Sequence, residues 1–342
     1  METQLSVVET GKTPIGAEVI AERLEDYARQ AEGALSPNTM RAVKADTALF
    51  TSWCSERGLG TLPALPDVVA AFIDAMAADR KPATVRRYCA SIAHLHRAAA
   101  LPDPTKSNVV KLALKRLGRQ HCTRQDQAAP LTETVVEKIL ASTGEALIDL
   151  RDVALLLTAR DMLARRSEIV ALLVEDVSFA EDGSGTVLVR RSKTDAQGQG
   201  ATLWLSPITV IALRRWLSEA GIVEGPLFRS VDRGSNVGGV LDAGDVARRF
   251  KVMARRAGLN PKAISGHSAR VGMAQDLVAS GTGLPEVMQA GRWKSPTMPP
   301  GTQRSCCQAR SGGAVSSRAL NDNKLCYILL LEVTIHEHFT DT

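Results

Sequence analysis

Three short segments of this chain hold side chains able to grip a phosphate. Leu163-Ala-Arg-Arg-Ser-Glu168 places Arg165 and Glu168 three apart, which on a helix is one face. Lys193 stands in Arg190-Arg-Ser-Lys-Thr194, at the tip of a predicted strand pair. Ser265-Gly-His-Ser-Ala-Arg-Val-Gly272 then sets His267 and Arg270 three apart near a predicted helix start, and Met288-Gln-Ala-Gly-Arg-Trp293 follows. A guanidinium presents a planar fork of donors that fits two phosphate oxygens. An imidazole or a lysine amine can move a proton. Singly, each segment has a plainer reading: a surface ion pair, a solvated hairpin tip, a chance His-x-x-Arg match.

The elements that must position these groups are mostly helical. Hydrophobic residues make up 44% of the 342 positions but aromatics only 4%, which suits packed helices better than a sandwich of sheets. Ser36-Pro37, Pro66-Asp67 and Pro82 with Thr84 read as helix starts, and Asn108 to Leu117 as a fourth, basic amphipathic helix. His121 to Pro130 is polar and aperiodic, as a linker would be. Leu131–Ser142 and Leu147–Leu173 return to helical periodicity. Thr186–Val189 and Thr202–Leu205 alternate as a strand pair, and four more helices run from about Thr209 to Ala290.

Charge is unevenly spread. Net charge is +5, yet Arg80 to Arg124 contains eleven Lys or Arg against one acid, Asp103. Such a block is either a solvated face or the footprint of a phosphate backbone; the scarcity of opposing acids within it favours nucleic acid. The candidate contacts are Lys81, Arg86, Arg87, Lys106, Lys111, Lys115, Arg116 and Arg119. The six cysteines show no metal or disulfide spacing and read as reduced thiols. His94-Leu-His96 and His336-Glu-His338 lack further ligands at workable spacing, so no metal is expected. With no signal-peptide core and no span of membrane length, the chain reads as soluble and cytoplasmic.

The segments LARRSE, SKT, SGHSARVG and MQAGRW, in this order and spacing, together with the turn LPDPTKSNVV, resemble the tyrosine recombinase (phage integrase) family in its Cre-like branch. The likeness runs from about residue 20 to 298. It implies a mainly α chain of two domains closing on duplex DNA as a clamp. The parts would be an N-terminal arm (1–18), a helical SAM-like core-binding domain (19–122), a linker (123–130), a catalytic domain with a small antiparallel sheet (131–298) and a tail (299–342). It further implies site-specific strand cleavage and rejoining through a 3′-phosphotyrosine, with double-stranded DNA as partner and neither cofactor nor small-molecule substrate. Arg165, Arg270, His267 and Trp293 would hold the scissile phosphate, with the Trp293 indole donating but not titrating. Lys193 would protonate the leaving 5′ oxygen, and Glu168 would buttress an arginine or the histidine. A bacterial nucleoid, plasmid or phage setting follows from the same resemblance.

One expected residue is absent. The family's nucleophile position, nine residues beyond Trp293, is Thr302. A threonine hydroxyl ionises far above the ~10 of a phenol, so it is a poorer nucleophile and a poorer leaving group. The other tyrosines, Tyr27, Tyr88 and Tyr327, stand elsewhere. Pro300-Gly301-Thr302 can be encoded CCC-GGT-ACN, whose neighbouring frame contains CGG-TAC, Arg-Tyr; a frameshift after about Met298 is the expected cause. The helix that docks into the next protomer of the family's tetramer is also unrecognisable in 299–342, so assembly is expected to be impaired. The alternative expectation is a non-catalytic, sequence-specific DNA-binding or regulatory protein derived from an integrase.

Overall fold

Prolines and small polar residues decide where the helices begin. In the computed structural model, which describes residues 16–121, 127–192 and 198–296, the chain forms two compact units that divide between residues 126 and 127. The first holds α1 (Ala17–Ala31), α2 (Pro37–Ser55), α3 (Pro66–Ala77), α4 (Pro82–Ala98) and α5 (Asn108–Gln120). Pro37, Pro66 and Pro82 open their helices, where a fixed φ and a missing N–H cost nothing. The Ser36 hydroxyl caps α2 by accepting the Thr39 amide at 3.1 Å.

The core of this unit is Phe50, Trp53, Phe72, Tyr88, Ile92, Val110 and Leu117, among others. Phe72 meets Phe50 and Trp53 edge-on, with ring centroids 5.0 and 5.3 Å apart. Both histidines of this unit's His-x-His pair are engaged in packing. The buried His96 accepts the Ala64 amide on Nε2 (3.0 Å) and donates from Nδ1 to the Ile92 carbonyl (2.8 Å). That pairing fixes the neutral tautomer, and burial pushes the ring below its ordinary pKa. His94 lies edge-on to Tyr27, whose hydroxyl is 3.2 Å from Nε2.

The second unit is built on α7 (Leu147–Asp161), preceded by α6 (Glu133–Ala141) and followed by the one-turn α8 (Arg166–Ile169). Strands β1 (Val177–Phe179), β2 (Gly185–Val189) and β3 (Ala201–Leu205) form an antiparallel sheet in that order, with Val187 opposite Leu203. Then come α9 (Pro207–Glu219), the paired β4 (Arg229–Val231) and β5 (Val237–Val240), α10 (Ala243–Arg256), α11 (Ser268–Ala279) and α12 (Leu284–Gly291). Among the described residues no helix is long and apolar enough to cross a membrane.

Helix α7 is buried on nearly every side, and its buried carboxylates are paired in place. Asp152, 1% exposed, takes Arg151 and Arg249 at 2.6 Å each, and Asp149 takes Arg256. The helical periodicity over Leu147–Leu173 resolves into two helices, not one run. The chain turns back after Asp161, with Leu163 at φ 44°, a left-handed conformation that no continuous helix contains. β1, β4 and β5 were not legible in the sequence, because segments of three or four residues show too little alternation to register.

Leu131 straps this unit together. Its amide donates to Ser268 O at 3.0 Å, and Arg160 donates to its carbonyl. A Cβ on Gly272 would stand 2.0 Å from the Leu131 oxygen, so α11 reaches the strap only because position 272 has no side chain. Gly272→Ala is expected to destabilise the second unit by about 3 kcal/mol through this overpacking; urea unfolding would show a lowered midpoint, and an unchanged midpoint would contradict the contact.

Candidate active site

The turn after α7 delivers Arg165. That arginine is the cap residue of α8, its amide donates to Glu168 Oε2 at 3.0 Å, and its Nη1 donates to Oε1 at 2.6 Å. The two residues therefore pair as their spacing predicts, but across the first turn of a short helix and not within a long one. Glu168 is 3% exposed, and so the carboxylate is a buried charge that requires its partners.

Arg270 comes from the first turn of α11. It donates from Nη1 to Leu163 O and from Nη2 to Gly291 O, and its guanidinium lies over the Trp293 ring at 4.3 Å. One side chain thus ties the Arg165 turn to the end of α12. Burial, then the nearby Arg165, push Arg270 down to about 10, which leaves it charged at neutral pH. Three of its five N–H donors are left after those two bonds.

The glycines of both motifs make room for these contacts. A Cβ on Gly266 would lie 2.2 Å from Arg166 Cδ, and one on Gly291 would lie 1.8 Å from Trp293 Cζ3. Trp293 itself is buried with Leu163, Ala274 and Val287. His267 caps α11 on its exposed side, three residues before Arg270, and its amide donates to Ser265 Oγ at 3.1 Å. Lys193 and Thr302 lie outside the described residues, as does Tyr327. The described base of the Lys193 hairpin is held by Arg190, whose Nε donates to Asp176 Oδ1 at 2.6 Å.

Of the basic residues in the first unit, Arg86, Lys111, Lys115 and Arg119 line a groove of about 850 Å³ together with the exposed Leu112. Lys111, Lys115 and Arg119 form a stripe on α5 with steps of about 6 Å. Lys81 and Lys106 are also exposed. Two members of the block meet acids that counting within it could not reveal. Arg87 pairs with the buried Asp46 of α2 at 2.9 Å, and Arg116 with Asp74 of α3 at 2.7 Å.

A family model described as the phage integrase family matches residues 130–299. An integrase/recombinase xerD homolog of Selenomonas ruminantium is 31% identical over 281 residues, covering 79% of this chain and 82% of that protein. The chain belongs to the phage integrase family, the tyrosine recombinases. The recombinase cre of Escherichia phage P1 is 28% identical, covering 76% of this chain and 82% of its own. The fold is also that of a solved Tn1549 transposon integrase in complex with circular intermediate DNA, with TM-score 0.59 at 14% identity, covering 89% of this chain and 99% of that one.

This family member carries one site residue that the sequence reading passed over. Arg292 donates from Nη2 to Glu168 Oε2 at 2.7 Å, so one buried carboxylate serves Arg165 and Arg292 together. Its only outward sign is position: it closes α12 in a left-handed conformation, φ 54°, where glycine is the usual occupant. Removing the carboxylate leaves both guanidiniums facing a void. Glu168→Ala is expected to cost about 3–5 kcal/mol, as for breaking a buried pair, in chemical denaturation. A loss under 1 kcal/mol would mean that the arginines are held by other contacts.

Proposed function

We propose that this tyrosine recombinase binds duplex DNA and seats one backbone phosphate between Arg165 and Arg270, without forming the covalent intermediate of its family. The observation that carries the reading is that Arg270, stacked on Trp293, bonds Leu163 O in the turn that carries Arg165, near enough for the two guanidiniums to repel. Preformed guanidiniums neutralise the charge of a pentacovalent phosphorus without having to reorganise. His267 would donate to a non-bridging oxygen, and the Trp293 indole N–H would donate to another. Lys193 would give a proton to the departing 5′ oxygen as the phosphorus–oxygen bond breaks. A DNA-bound relative with the same fold, and the stripe of Lys111, Lys115 and Arg119, support duplex DNA as the partner.

The bond that would form in the family is from a tyrosine oxygen to phosphorus, and its energy is kept for religation. With Thr302 at that position, an alkoxide would have to attack and later leave, against a far higher pKa. The chain would then occupy sites and hold the strand without exchanging it, as a bacterial nucleoid-, plasmid- or phage-associated protein. Tetramer formation on DNA is expected to be weak for want of a recognisable docking helix in 299–342.

Duplexes selected from a random pool by the full chain, then rebuilt with a nick beside each candidate phosphate, would trap any covalent adduct. No adduct is expected, while binding stays strongly salt-dependent. Replacing Lys111, Lys115 and Arg119 by alanine together is expected to flatten the log–log salt slope by about 3. A covalent adduct that disappears in Tyr327→Phe would overturn this reading of the tail.

A further inference from the structure

Position 292 is occupied against the local interest of the backbone. At φ 54° a side chain is strained where glycine is not. The same arginine buries Nε and Nη1 without a hydrogen-bond partner, which adds a desolvation cost. Its hydrogen bonds are few: Nη2 donates to Glu168 Oε2 at 2.7 Å and, more weakly, to Met162 O at 3.5 Å. Backbone conformation and desolvation, taken without the Glu168 pair, argue for glycine here.

Glu168 explains what the arginine does. Its Oε2 accepts from both the Arg165 amide and Arg292, and its Oε1 accepts from the Arg165 guanidinium. Were Arg165 its sole cationic partner, any phosphate approaching Arg165 would compete with a buried carboxylate for the same guanidinium. A second guanidinium on Oε2 removes that competition, because the carboxylate stays compensated when Arg165 turns its remaining donors outward.

We propose that Arg292 is a positioning residue: it neutralises Glu168 so that Arg165 is free to hold an incoming phosphate. It does not itself touch that phosphate: its Nε and Nη1 are enclosed by protein and its Nη2 is engaged by Glu168. The inference rests on the reading that Arg165 and Arg270 form a phosphate site.

Inorganic phosphate is the probe, titrated into the full chain while the arginine Nε–H signals are followed by nitrogen NMR. In the unaltered protein the Arg165 and Arg270 signals should shift together. Arg292→Gly, which suits the backbone at this position, should weaken phosphate about tenfold, and Arg292→Lys should recover most of the loss. The deciding comparison is made in a Glu168→Gln background, where no carboxylate charge needs compensating. There Arg292→Gly should change phosphate affinity by less than about twofold, since coupled residues are non-additive. The same tenfold loss with and without the Glu168 charge would overturn the proposal and make Arg292 a direct phosphate ligand. No loss in Arg292→Gly would overturn it outright. If phosphate shifts neither Arg165 nor Arg270 in the unaltered protein, the phosphate-site reading fails first and this inference with it.

Discussion

The second unit depends on one buried carboxylate. Glu168 is nearly inaccessible, yet it answers to two guanidiniums and a backbone amide. Its ionised form is tolerable only because all three donors converge on it, since an isolated carboxylate in such surroundings would be far too costly. The turn after α7, the cap of α8 and the left-handed end of α12 all meet at that charge. Arg270 adds a second tie by holding Leu163 O and Gly291 O, so the turn after α7 and the end of α12 are joined twice.

This arrangement fixes Arg165, Arg270 and Arg292 through contacts of the fold itself. Three guanidiniums stand around one carboxylate, leaving a positive excess already oriented. Burial lowers the Arg270 pKa only to about 10, so the excess persists across the physiological range. Such preorganisation is what an anion site needs, because donors fixed beforehand cost no rearrangement when charge develops. The exchange is a local loss of stability: strain at Arg292 and two buried donors without partners.

Much of this was legible in the residues, for reasons that differ by element. The helices opened by Pro37, Pro66 and Pro82 announce themselves because proline at a first helical position leaves a chemical trace. Gly266 and Gly272 stand out within SGHSARVG, and the structure shows that each yields its space, one to the Arg166 stem and one to the Leu131 backbone. The Arg165–Glu168 pair was visible from spacing alone, although the surrounding turn was not, since nothing at Leu163 marks a positive φ. Arg292 was hidden because its importance lies in a backbone conformation and a partner 124 residues away. The acids that meet Arg87 and Arg116 were hidden for the same reason, as Asp46 and Asp74 arrive from other helices.

The most direct test is the behaviour of the arginine side chains in the protein alone, before any nucleic acid is added. If Glu168 organises the site, the Nε–H signals of Arg165, Arg270 and Arg292 should be separately resolved and slow to exchange with water. Glu168→Gln should then move those of Arg165 and Arg292 toward the position of solvated arginines, while Arg270, held by two carbonyls, stays protected. Three rapidly exchanging signals in the unaltered protein, indifferent to Glu168→Gln, would contradict the account.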